Sequence, residues 1–202
     1  MKSYQELAES VHYRKKGSRF EAVSWDRTLS RIGTGRSACA FRINGTDRVI
    51  KVYYPVYHYI AEEEAEIYSK LREVPSFPAL YDAGINYIVI DYIEGRTFFQ
   101  CLTGGEQITE GFIAEVDQAL LEVSRRQLNP SDIHLHNLIL TPDGKVKIID
   151  PARFNQEKNC TQWDDLKTAY SRLYTKKLCP KKIPALLLLS ISTLYKHKVI
   201  KV

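Results

Sequence analysis

The chain has 202 residues, 44% hydrophobic and 26% charged, with a formal net charge of +5. That balance fits a soluble globular protein with one substantial core or two small lobes, and is too short for two independent domains. Cys39, Cys101, Cys160 and Cys179 are scattered without a CxxC pair, which argues against a zinc site or disulfide framework and points to a reducing cytosol.

Residues 1–26 are polar and mixed, read as a short helix over 4–12 and a connecting arm; MKSYQELAES lacks a signal-peptide core. Three strands are predicted over 27–32, 37–43 and 47–54, with turns at 33–36 and at Asn44-Gly45. An Asn-Gly pair accepts positive φ cheaply, so 38–43 and 47–53 should form a tight hairpin. Pro55 stops the third strand. Over 57–74 the pattern becomes helical, with Ile60, Glu64, Ile67 and Leu71 on one face. Apolar strands follow at 79–84 and 86–95. A helix over 109–127 is capped by Thr109 and carries the stripe Phe112, Val116, Leu120, Val123. Next come two short apolar runs, 138–140 and 146–149, around the turn TPDGK, then a helix over 162–174. The run 183–195 is too short and too interrupted to span a bilayer, and is expected as a buried C-terminal helix. Residues 166–202 hold nine Lys/Arg and no acid, leaving 20 basic against 24 acidic residues before them. Such asymmetry fits either an acidic partner or a solvated helix face.

The chemistry begins at RIGTGRSACAF. A Gly-rich turn lets backbone N–H groups approach a polyphosphate, although an ordinary hairpin explains the same residues. Lys51, among β-branched neighbours, needs a counter-charge, since burying an unpaired ammonium costs several kcal/mol. Glu64 shares the inner helix face and is the expected partner, by function or as a plain salt bridge. In NPSDIHLHNLILTPDGKVKIID, Asp132 and Asn137 lie on one loop and the second run returns Asp150 beside it. Asn137 and Asp150 offer the hard oxygens Mg²⁺ takes alongside substrate phosphates. Asp132 is then left to orient a hydroxyl nucleophile and accept its proton. His134 and His136 as a metal pair is the rival idea, without a third ligand at suitable spacing.

These stretches, in this order over about 29–154, resemble a protein kinase of very small bacterial type, related to the RIO kinases and the aminoglycoside phosphotransferases. IGTGRSACAF resembles the Gly-rich loop, VIK the strand with the phosphate-binding lysine, and AEEEAEIYSKL the helix with its glutamate. YIVIDYIEG resembles the adenine-cradling strand and hinge; SDIHLHN matches D-x-x-x-x-N, and IIDPA stands where D-F-G is expected. The resemblance implies an α+β, two-lobed protein kinase-like fold in a single domain. It would comprise an antiparallel β-sheet lobe with one helix (about 20–92), a hinge (about 91–96) and a truncated, mainly helical lobe (about 97–202). It also implies ATP and Mg²⁺. Ile32, Gly33, Thr34, Gly35, Arg36, Ser37, Ala38 and Ala40 would cover the phosphates. Lys51, held by Glu64, would bind the α- and β-phosphates. Ile90 would be the gatekeeper, with the Asp91 carbonyl and Ile93 amide meeting adenine. Asp132 would be the base, and Asn137 and Asp150 the metal ligands.

The departures are specific. Ala38 replaces the third glycine, Pro130-Ser131 the His-Arg before the catalytic aspartate, and Pro151-Ala152 the Phe-Gly of D-F-G. His134 stands where protein kinases often use lysine. No A-P-E follows, and Asp164 or Asp165 is expected to brace the catalytic loop or to cap its helix. The expected activity is phosphoryl transfer to Ser/Thr of a protein, the chain itself included, with an acidic surface on that partner. The alternatives are a small-molecule acceptor and a pseudokinase or ATPase-type nucleotide-binding module. The expected location is cytoplasmic, and oligomeric state is left open.

Overall fold

A computed structural model describes residues 2–176 and 179–196 and divides into two compact units, Met1–Ile93 and Glu94–Val202.

The first unit opens with α1 (Tyr4–Glu9), held by a capping box between Ser3 and Glu6. β1 (His12–Lys16) and β2 (Arg19–Ser24) form an antiparallel pair turning at Gly17, φ 62°. This hairpin replaces the connecting arm expected there. Its strands alternate, with Tyr13, Phe20 and Ala22 turned onto the core and cations outward. β3 (Leu29–Thr34), β4 (Ala38–Ile43), β5 (Arg48–Tyr53), β6 (Leu80–Gly84) and β7 (Tyr87–Asp91) make an antiparallel sheet ordered β3-β4-β5-β7-β6. Gly33 and Thr34 continue β3, paired to Ala40 and Cys39, so the first turn is shorter than expected. The Asn44-Gly45 hairpin forms, with Gly45 at φ 76°. A 3₁₀ turn at Pro55–Tyr57 leads into α2 (Tyr59–Lys70).

Alternation along β5 sorts the sheet's faces. Phe41, Ile50 and Val52 pack with Leu7 and Ala8 of α1 and with Cys39. Val49, Tyr53, Ile88 and Ile90 pack on Ala61 and Tyr68 of α2. Lys51 follows the second set by parity.

The second unit contains β8 (Arg96–Thr97), α3 (Phe98–Gly104), α4 (Glu110–Arg125), β9 (Leu138–Leu140), β10 (Val146–Ile148), α5 (Gln162–Ala169), a π turn at Tyr170–Tyr174, and α6 (Ala185–Lys196). β9 and β10 form the expected hairpin, with Gly144 at φ 76°, and β8 adds a third strand. Thr109 caps α4 by accepting from the Phe112 N–H, and Val116, Ala119, Leu120 and Val123 form its buried stripe. Trp163 Nε1 and Lys167 Nζ both donate to Asp117 Oδ1, at 2.7 and 2.9 Å, tying α5 to α4.

Two expectations fail here. α6 is not buried along its described leucine face: Leu186 is 79% exposed, and Leu187, Leu189 and Ile191 are also exposed. Asp164 and Asp165 do not brace the catalytic loop. Asp164 pairs with Lys167, and Asp165 accepts from Thr161 and Tyr195, holding the start of α5 to α6. Among the described residues no helix is long and apolar enough to cross a membrane.

Candidate active site

In the first unit, Lys51 Nζ donates to both carboxylate oxygens of Glu64, at 2.9 and 2.7 Å. Glu64 is fully buried on α2, and the Lys51 side chain is 15% exposed. Tyr53 adds a third bond, its hydroxyl donating to Glu64 Oε2 at 2.5 Å. Tyr53 lies two residues beyond Lys51 and therefore on the same face of β5, a signal period-2 reading could have used. Burying this carboxylate is tolerable only because charge and hydrogen bonds are both satisfied.

The Gly-rich turn is fastened to the same sheet. Gly35 N–H donates to the Ala38 carbonyl, and Tyr54 N–H to the Ser37 carbonyl, both at 2.8 Å. The Tyr54 hydroxyl donates to the Gly35 carbonyl at 3.0 Å. Burial, and after it the Cys39 thiol, push the Tyr54 phenol well above its ordinary value, so it keeps the proton it donates. Thr34, Gly35 and Arg36 are exposed, Gly33 and Ser37 half-buried, and Ala38 is packed beneath the turn. Ile32 is exposed on β3, and Ala40 pairs with Lys51 across β4 and β5. Ile90 is buried in the face toward α2. Asp91 ends β7, its carboxylate accepting from Ala79 N–H and Tyr81 hydroxyl, and Ile93 follows in a loop.

The second unit carries Asp132, Asn137 and Asp150. Asn137 Nδ2 donates to the Asp132 carbonyl at 3.2 Å, and Asn137 N–H to the His134 carbonyl at 2.9 Å. Ile149 N–H donates to the Asn137 carbonyl at 2.9 Å, bringing Asp150 beside the loop. Asp132 and Asp150 sit at φ 60° and 62°, a left-handed backbone that non-glycine residues adopt at some cost. Asp150 is exposed and Asp132 half-exposed. Asn137 is itself buried, 7% exposed, with its side-chain amide nitrogen bonded to the loop. Hard oxygens on a braced loop suit Mg²⁺.

His136 instead stacks on Phe99, ring centroids 4.3 Å apart. Among the described residues no cluster of three His, Cys, Asp or Glu could hold a metal, so the paired-histidine idea finds no support. Three further residues escaped sequence reading. Tyr53 and Tyr54 brace the lysine and the Gly-rich turn, and Asn129 braces the segment after Asp150. Asn129 N–H donates to the Phe154 carbonyl at 2.7 Å, and Nδ2 to the carbonyls of Gln156 and Lys158.

No protein-family model matches the chain. Over 193 residues it is 48% identical to the Bacillus subtilis (strain 168) protein named "Putative serine/threonine-protein kinase YrzF", covering 94% of this chain and 89% of that one. It is 30% identical over 130 residues to Aurora/IPL1-related protein kinase 2 of Caenorhabditis briggsae, and 33% identical over 95 residues to Aurora kinase A-A of Xenopus laevis. Those matches cover 60% and 43% of this chain, but only 42% and 23% of the animal proteins.

Proposed function

The chain belongs to the protein kinase-like superfamily and is a transferase, and on that premise we propose that it moves the γ-phosphate of ATP to a serine or threonine hydroxyl of a protein. Lys51, held by Glu64, binds the α- and β-phosphates under the backbone amides of 32–40. The Asp91 carbonyl and Ile93 amide read the adenine edge. Asp132 orients the acceptor hydroxyl and takes its proton. Asn137 and Asp150 hold Mg²⁺, which supplies neutralisation of the phosphate charge.

The observation that carries this reading is the bracing of Asn137. Its nitrogen is bonded to Asp132 and its carbonyl to Ile149, so an amide oxygen and two acids are kept on one short stretch of backbone. Positioning of this kind supplies most of the acceleration in phosphoryl transfer. A protein acceptor agrees with the name of the Bacillus relative. Exposed Arg172, Lys176, Lys181 and Lys182 favour an acidic one. Four free cysteines agree with a reducing cytosol.

The test is label transfer from γ-labelled ATP to the chain itself and to an acidic Ser/Thr protein, with a panel of small hydroxylated metabolites alongside. Asp132→Asn should lower turnover by about 10²–10⁴-fold. Unchanged labelling in that variant overturns the base assignment. Labelled metabolites without labelled protein move the acceptor to the small-molecule class.

A further inference from the structure

The chain folds back immediately after Asp150. Phe154 N–H donates to the Pro151 carbonyl at 2.9 Å, closing a turn, and Phe154 is itself buried. Asn129 then clamps the Phe154, Gln156 and Lys158 carbonyls. The turn is thereby fastened to the residue that opens the loop of Asp132. Within it lies Arg153, whose Nε stands 3.5 Å from Asp132 Oδ2, with side chains 41% and 38% exposed. At that distance the contact is an ion pair rather than a hydrogen bond. Exposed pairs of this kind contribute about 0–1 kcal/mol, so stability alone does not explain so firm a mounting.

We propose that Arg153 is a catalytic residue of the transfer, its guanidinium stabilising the charge on the migrating phosphoryl group; this rests on the phosphotransfer reading of Asp132. In that step the acceptor oxygen bonds to the γ-phosphorus, and the bond to the bridging oxygen breaks. Its electron pair leaves on ADP, and the acceptor's proton passes to Asp132. Arg153 forms and breaks no covalent bond. The charge spreads over the phosphoryl oxygens and calls for a fixed cation nearby. Residues 129–137 contain no Lys or Arg, and among the described residues the cation paired with Asp132 is Arg153. A guanidinium has five donors in a planar fork, so one edge can face the carboxylate while the others meet phosphoryl oxygens. The loose 3.5 Å contact lets the fork turn from Asp132 toward the phosphoryl group, which frees the carboxylate to accept the proton.

The experiment compares wild type, Arg153→Ala, Arg153→Lys and Asp132→Asn. For Arg153→Ala we expect kcat to fall about 10²–10³-fold with KM for ATP nearly unchanged. Arg153→Lys should keep part of the rate, and added guanidinium should restore part of it to Arg153→Ala but none to Asp132→Asn. Binding of ADP with Mg²⁺ and aluminium fluoride should weaken in Arg153→Ala while binding of ADP alone holds. Arg153→Gln, of similar reach and no charge, gives the same readings should Arg153→Ala fail to fold. An unchanged kcat, a loss confined to KM, or undiminished binding of the fluoroaluminate complex overturns the role. If Asp132→Asn is inactive and Arg153→Ala matches wild type, Arg153 is only a surface ion pair. If wild type transfers no phosphate, the functional reading falls and takes this role with it.

Discussion

Glu64 is fully buried and accepts hydrogen bonds from Lys51, at both oxygens, and from Tyr53, so each donor offsets part of a large desolvation cost. Tyr53→Phe removes one bond to a charged group and should lower stability by about 1.5–3 kcal/mol. Lys51→Met removes the counter-charge and should cost more, about 3–5 kcal/mol. Urea unfolding of the two variants checks the order; a neutral Tyr53→Phe would mean the phenol is not needed to satisfy Glu64. Thiol chemistry gives a second check. Burial, and after it Glu106, pushes the Cys101 thiol up to about 12. At pH 8 it stays protonated, so iodoacetamide should modify the half-buried Cys160 and Cys179 first, read by peptide mass mapping. Early labelling of Cys101 would contradict its burial.

Among the elements, those with strong local chemistry were legible. Asn44-Gly45 and Asp143-Gly144 announced their hairpins through the positive φ that glycine accepts, and Thr109 announced α4. Thr109→Ala should cost about 1 kcal/mol in thermal unfolding. The β1–β2 hairpin was missed because its outward cations, Arg14, Lys16 and Arg19, hide a period-2 pattern whose inner side is Tyr13, Phe20 and Ala22. α3 is seven residues long, too short for periodicity to register. α6 misled in the opposite way, since leucine content does not say which way a helix faces. Leu186→Gln should change stability by less than about 0.5 kcal/mol, where a buried leucine at that position would cost several. A large loss in thermal unfolding would restore the buried reading.

Over the whole molecule, order of motifs carried more than any one of them. The pairing of Lys51 with Glu64, and the return of the chain at Asp150 beside the loop of Asp132 and Asn137, were legible because each motif narrows where the next must stand. Tyr54, Asn129 and Arg153 were not, because their contacts join residues 19, 25 and 21 positions apart that no local pattern links. Nucleotide binding to the folded chain should raise its melting temperature by linkage, with about 2.7 kcal/mol of stabilisation at 100 times Kd. Asp150→Ala should remove the part of that shift that depends on Mg²⁺. The most direct test of phosphoryl transfer is to map phosphorylated sites after incubating the purified chain and an acidic protein with γ-labelled ATP. Label on serine or threonine that disappears with a Mg²⁺ chelator and in Asp150→Ala is the predicted result. Protein labelling that persists through both, or none in wild type with Mg²⁺ present, would contradict it.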